Sequence, residues 1–334
     1  MTESIIVTGG LGFIGSNFIH HIIATRHDVR ITNVDFQGIG SNPASVRDLS
    51  KNERYRFVKA DLADSTALDG PLKGADAVVN FAAETHVDRS IANPQPFLHS
   101  NLIASFNLLE GCRKNKVGKL VHISTDEVYG SIASGSFDEE SRLNPSSPYS
   151  STKAAADLMA TAWNNTYHVP IVVLRCTNNF GPYQHPEKLI PKIIIRSIRG
   201  LDIPLYGGGG QVRDWIYVRD FCTAIEASLD KGEPGNIYNV SAGNELSNRA
   251  VVERLLKHLG KPADKIVSVE DRPGHDVRYS LSSEKASSQL GWRPRHDFDD
   301  ALVLTAKWYL SNQDWWKPLA TDKTLSPTPW KEKW

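Results

Sequence analysis

The chain has little that would tie it to a charged polymer, a membrane or an oxidising compartment. Lysine plus arginine number 38 and aspartate plus glutamate 38, so no net field draws it to nucleic acid or to an anionic lipid surface. No run approaches the roughly 18 apolar residues of a membrane span. Residues 1–25 lack the basic leader of a signal peptide, and Gly9, Gly10, Gly12 and Gly15 break up their apolar residues. Cysteine occurs only at Cys112, Cys176 and Cys222, far apart and with no CxxC pair. That excludes a disulfide framework, gives no reason to expect a metal, and fits buried, inert thiols in a reducing cytoplasm. With no internal repeat or low-complexity block, the 334 residues suffice for one large α/β unit and a smaller one.

What is present is alternation. Short apolar runs at Ser4–Thr8, Val29–Asp35, Tyr55–Lys59, Ala77–Phe81, Lys119–Ser124 and Pro170–Arg175 predict buried strands. Helical spacing at Ile14–Ala24, Pro96–Cys112 and Tyr149–Tyr167 falls between them, which argues for a parallel sheet covered on both faces. After about residue 178 prolines and the run Gly207–Gly210 punctuate the chain. Helices are expected there at Pro191–Arg199, Val218–Leu229 and Arg249–Leu259. This part reads as a smaller lobe over the carboxyl edge of the sheet, where open α/β sheets bind ligands. The tail, Thr321–Trp334, has no clear period and is either an ordered strap or a frayed end.

Two spacings carry chemistry. Gly9, Gly12 and Gly15 follow the first strand and open the first helix, permitting a tight turn and close approach of a pyrophosphate to the helix N-terminus. Asp35 closes the second strand, where a carboxylate can accept the ribose hydroxyls of adenosine and repel a 2′-phosphate, so NAD is favoured over NADP. Asp61 and Leu62, after the third strand, are expected at the adenine. Tyr149 and Lys153 stand four apart on a helix, so the lysine can sit beside the phenol and help it act as a base. Thr125, at a strand end, can bond the same substrate oxygen.

Together the glycine fingerprint and Y-x-x-x-K resemble the short-chain dehydrogenase/reductase superfamily, in its extended branch with a nucleotide-sugar lobe. Ser124-Thr125-Asp126-Glu127-Val128-Tyr129-Gly130 is similar to the active-site segment of dTDP-glucose 4,6-dehydratases. The chemistry explains the two acids. Oxidation at sugar carbon 4 makes the hydrogen on carbon 5 acidic; a base must remove it and an acid must protonate the hydroxyl leaving carbon 6. The resemblance implies Glu127 as base and Asp126 as acid, with hydride returning from the cofactor to carbon 6.

The same resemblance covers roughly residues 4 to 316. Phe81 to Ser90 resembles the family's AAESHVDRS segment, implying that Phe81, Ala82, Ala83 and Glu84 lie along the cofactor and Thr85 meets substrate; His86, Asp88 and Arg89 read better as a polar network satisfying itself. Ser100 stands where the family has a cofactor-contacting threonine. Phe13 and Ile14 belong to the phosphate turn. Asn178 would bind substrate and Asn179 the nicotinamide end, in a segment like NNYGPY. Lys188 and Leu189 lie in an EKLIP-like element, and Pro204 and Tyr206 in a nucleobase-contacting strand. Arg213, Asn248, Arg272 and His275, the last two in DRPGHD, would meet the diphosphate and ribose. The loop Phe36–Asn42 departs from the usual pattern.

The expected fold is α/β, a Rossmann-type doubly wound parallel sheet with a smaller C-terminal α/β substrate lobe. Residues 1–178 would hold NAD and the catalytic groups, 179–320 mainly the nucleotide sugar with some segments returning to the main sheet, and 321–334 the tail. The expected reaction is dehydration of dTDP-glucose to its 4-keto-6-deoxy product. UDP- or CDP-glucose remains an alternative substrate, and 4-epimerisation a more distant alternative that Asp126 and Glu127 argue against. The resemblance also implies a homodimer, with Pro96–Lys114 and Tyr149–Tyr167 as its candidate helices.

Overall fold

The computed structural model describes residues 3–334. Strands β1 (Glu3–Thr8), β2 (Val29–Asp35), β3 (Tyr55–Lys59), β4 (Ala77–Asn80), β5 (Lys119–Thr125) and β6 (Ile171–Cys176) form where the apolar runs predicted them. The smaller lobe adds β7 (Asn178–Phe180), β8 (Ile203–Tyr206), β9 (Val212–Tyr217), β10 (Ile237–Val240), β11 (Glu245–Ser247) and β12 (Ile266–Val269). The main sheet has the order β10-β6-β5-β4-β1-β2-β3, and each pair in it is parallel. The chain reverses direction of travel between β1 and β4, which opens a crevice at their carboxyl ends. Above that edge lie a three-stranded sheet, β11-β9-β7, and a two-stranded one, β12-β8.

One apolar cluster runs through both lobes without a break. It joins Ile5 and Phe18 of the first βα unit to Ile193, Trp215, Phe221, Leu255 and Trp316. With β10 also inserted in the main sheet, the smaller lobe is fastened to the larger through a common core.

The helix Pro148–Tyr167 starts as its sequence dictates. Pro148 takes the first turn, and Ser147 and Ser150 cap each other's backbone N–H groups. Expected as one helix, Pro96–Cys112 is instead built in three parts: Gln95–Phe97, a wide π segment Leu98–Ile103, and Ala104–Asn115. The extra backbone width turns Asn101 inward, where its side chain accepts the Glu84 N–H at 2.8 Å and donates to the Glu84 carbonyl and to Thr152 Oγ. Helices Val87–Ala92 and Phe298–Ser311 add to those expected. The tail is an ordered strap, with Leu325 and Trp330 buried. Among the described residues no helix is long and apolar enough to cross a membrane.

A buried polar chain ties the layers together beneath the carboxyl edge. Asp157, one turn beyond Lys153, pairs with Arg175 of β6 at 2.9 Å. Arg175 donates to the Tyr129 hydroxyl at 2.7 Å, which donates to Asn239 Oδ1 of β10 at 2.9 Å. Truncation as Asp157→Ala strands a buried guanidinium, and should cost about 3–5 kcal/mol of unfolding free energy, read as a lower urea midpoint.

Candidate active site

A long cleft follows the carboxyl edge of the main sheet, and a second continues from it beneath the smaller lobe. Thr85, Glu127, Asn178, Glu187 and Lys188 line both.

Gly9 leaves β1 with φ +69, and a Cβ there would stand 2.6 Å from the Ala82 nitrogen. A Cβ on Gly15 would meet the Gly9 carbonyl oxygen at 2.5 Å. No side chain caps the helix Phe13–Thr25, so the N–H groups of its first turn are left to the cleft that Gly12, Phe13, Ile14 and Gly15 border. Asp35 ends β2 buried; its carboxylate accepts the N–H groups of Leu11 and Gln37 and the Ser41 hydroxyl. Leu62, Phe81, Ala82, Ala83 and Glu84 also line this cleft, Glu84 with its carboxylate held by Arg89 at 2.9 Å. The oxygens of Asn178 and Asn179 are buried there without a hydrogen-bond partner. A cradle that a Cβ would fill, an open helix N-terminus, a carboxylate at the end of β2 and two orphan amide oxygens together fit a dinucleotide.

Two expected contacts lie elsewhere. Asp61 is not on the cleft wall: its carboxylate accepts the Ala63 N–H and pairs with His99 at 3.0 Å. Ser100 is also off the wall, on the π segment, where the inward position belongs to Asn101. The loop after β2, which departs from the family's pattern, supplies Phe36, Gly38, Gly40 and Ser41 to the wall instead.

The acids begin a single 3₁₀ turn, Asp126–Tyr129, directly after β5. Thr125 caps it, accepting the Glu127 N–H at 3.3 Å and donating to Asp126 Oδ1 at 3.0 Å. The two side chains then part. Asp126 is 2% exposed, and burial together with Glu127 lifts its carboxyl well above the ordinary range. Its Oδ2 has no partner. Glu127 is half-buried where the clefts meet; burial raises it too, but Arg272, Arg213 and Lys188 oppose the rise. Neighbouring residues of one type thus differ in their ease of ionisation.

Tyr149 and Lys153 come together on the same wall, both buried. The lysine ammonium donates to the Ile123 carbonyl at 2.7 Å. Burial and the nearby carboxylates push the Tyr149 phenol well above 10, opposite to what a base requires, while Thr125 draws it down.

The second cleft gathers Thr85, Lys188, Leu189, Pro204, Tyr206, Arg213, Asn248, Arg272 and His275, all anticipated from sequence. Lys188 donates to the Thr85 carbonyl at 2.7 Å. Arg272 pairs with Asp88 at 2.9 Å, and its buried Nε has no partner. Arg213 lies 4.1 Å over the Tyr279 ring. His275 bonds Asp271 at 2.6 Å, yet burial and Arg272 lower it to about 4, so it is neutral at pH 7. Asp88, Glu187 and Lys192 also line the cleft and were not anticipated. His86, Asp88 and Arg89 form a polar network as expected, but with distant partners: Arg89 bridges Glu84 and Glu187, and Asp88 also accepts the Tyr206 hydroxyl at 2.8 Å. No local sequence signal marks such pairs.

Comparison with known proteins agrees with this geometry. Residues 6–305 match the family model described as GDP-mannose 4,6 dehydratase. A dTDP-glucose 4,6-dehydratase of Streptomyces niveus is 43% identical over 329 residues, covering 97% of this chain and 98% of that one. Another from Actinoplanes is 44% identical over 317 residues, covering 93% and 99%. The crystal structure of a dTDP-glucose 4,6-dehydratase from Streptomyces venezuelae with NAD bound superposes with a TM-score of 0.93 at 44% identity, over 95% of this chain and 99% of that one. The family model and near-full-length relatives together place the chain among the nucleotide-sugar 4,6-dehydratases, in the family described as GDP-mannose 4,6 dehydratase and beside its dTDP-glucose members.

Proposed function

We propose that the chain is an NAD-dependent dTDP-glucose 4,6-dehydratase. The observation that carries this reading is the pair Asp126–Glu127, set between a dinucleotide cleft and a cationic cleft and held at different ease of protonation. The division of ligands follows: residues 1–178 hold NAD, with Asn179 at the nicotinamide end, and the lobe 179–320 holds most of the nucleotide. Lys188, Arg213 and Arg272 supply the charge that a diphosphate needs, and Pro204 and Tyr206 face the base.

Tyr149 and Thr125 take the carbon 4 hydroxyl, and Tyr149 removes its proton. Gly9, Gly12, Gly15, Asp35 and Asn179 would hold NAD, which when bound would supply a hydride acceptor for carbon 4, a hydride donor for carbon 6 and a positive charge. Glu127 removes the proton of carbon 5, now α to a ketone. Asp126, in which burial favours the neutral acid, gives its proton to the hydroxyl leaving carbon 6. Glu127 returns its proton to carbon 5, and the proton taken by Tyr149 makes good the one Asp126 gave, so the net change is loss of one water.

Apolar side chains left exposed on neighbouring helices support a homodimer. Leu158 is 62% exposed, and Ile103, Phe106 and Tyr167 stand near it in the fold with comparable exposure. We place the protein in the cytoplasm on its three free, buried cysteines.

Purified protein incubated with dTDP-glucose should form a product with the alkaline absorbance of a 4-keto-6-deoxy sugar; silence there and with UDP- and CDP-glucose overturns the dehydratase reading. Glu127→Gln should still oxidise carbon 4 while largely losing solvent exchange at carbon 5, and normal turnover would remove it from its role. A third prediction concerns pH. Asp126 has a folded-state pKa above its unfolded value of about 3.9, so its contribution to stability is full below that pH and is lost as pH rises. Asp126→Asn, which mimics the neutral acid, should therefore raise the urea midpoint at pH 7.5, with the gain narrowing towards pH 4. Leu158→Glu should convert a dimer to monomer in sedimentation.

A further inference from the structure

The C-terminal strap passes behind the second cleft and holds its wall from the rear. Backbone carbonyls of the strap and of Ala320, just before it, accept from three cations on and just after the helix Leu189–Ile198: Lys192 donates to Ser326 at 3.2 Å, Arg196 to Leu325 at 2.7 Å and Arg199 to Ala320 at 2.9 Å. The buried Trp330 ring stands edge-on to Tyr206, centroids 4.8 Å apart at 86°. Trp334 lies 5.6 Å from the Arg89 guanidinium that bridges Glu84 and Glu187.

Lys192 and Tyr206 line the cleft with Pro204 and Leu205; Ser326 and Trp330 do not, and act through them. Lys192 is a buried ammonium whose one side-chain hydrogen bond goes to the strap. Burial lowers it to about 8, while Asp88 and Glu187 hold its charge up. Asp88 is engaged by Arg272 and the Tyr206 hydroxyl, and among the described residues the Lys192 ammonium, which can donate three hydrogen bonds, makes one, to Ser326. A cationic donor beside an aromatic ring suits a pyrimidine, whose carbonyl oxygens accept hydrogen bonds and whose face stacks.

We propose that residues 321–334 are a positioning element of the nucleotide subsite, in which Ser326 aims Lys192 and Trp330 sets Tyr206 so that the two grip the pyrimidine base of a nucleoside-diphosphate sugar. The proposal rests on the second cleft being the nucleotide site, as read above. It adds Lys192 as a determinant of nucleotide affinity and gives the strap a role beyond covering the core.

Calorimetric titration of the full chain with dTDP, UDP, CDP and NAD tests it. For whichever diphosphate the unaltered protein binds best, Kd should rise about threefold to tenfold in Trp330→Ala, the worth of one aromatic contact, and about tenfold or more in Lys192→Met, the worth of one hydrogen bond from a charged donor. Trp330→Phe should keep the affinity, and NAD should bind all forms alike. Unchanged diphosphate affinity in both variants, or an equal loss for NAD, overturns the strap's role and leaves the dehydratase reading standing. An unaltered protein inert towards dTDP-glucose, whose variants still lose affinity for another diphosphate, overturns the choice of substrate and leaves the strap's role intact.

Discussion

A parallel sheet delivers every strand's carboxyl end to one edge, and that constraint decides where this chain can do chemistry. Gly9 after β1, Asp35 at the end of β2, Phe81 after β4, Thr125 at the end of β5 and Cys176 at the end of β6 come from separate stretches of sequence yet border one cleft. The sheet supplies rigidity, since its central strands β6, β5, β4 and β1 are buried and paired on both sides. The turns that leave it supply the reactive groups. The smaller lobe closes over this edge with an apolar core continuous with the sheet's own, which fixes the cationic cleft against the dinucleotide cleft.

Within that frame, environment does what residue type cannot. Asp126 and Glu127 are adjacent carboxylates on the cleft, but Asp126 is almost wholly buried while Glu127 is half-buried beside three cations. Burial favours the neutral acid at both, and the guanidinium and ammonium groups oppose it at Glu127. The same balance acts on His275, whose contact with Asp271 is outweighed by burial and Arg272, and on Glu187, held ionised by the histidines and arginine around it.

Much of this was legible in the sequence wherever a function depends on local spacing. The six strands of the first half, the glycine turn and the placing of Tyr149 and Lys153 on one helix are set by neighbours in the chain. The failures share a cause. The π segment at Leu98–Ile103 exists because Asn101 serves Glu84 and Thr152, which are remote in sequence. Asp61 and Ser100 do not border the cleft: Asp61 pairs with His99, 38 positions away, and the inward position beside Ser100 belongs to Asn101. Asp88 and Lys192 enter the cleft only because β8, the segment around Arg272 and the strap come to meet them.

The short turn that begins with the two acids ends at Tyr129, whose hydroxyl is fastened to Arg175 of β6 and Asn239 of β10, with Asp157 of the long helix behind. The reactive pair is therefore not a portable loop. Grafted onto a relative with the same strand β5 but a different β6 or β10, Asp126 and Glu127 would arrive without the anchor that sets their direction. Anyone redesigning a kindred oxidoreductase into a dehydratase has to transplant a cross-section of the sheet, in which residues more than a hundred positions apart form one heritable unit.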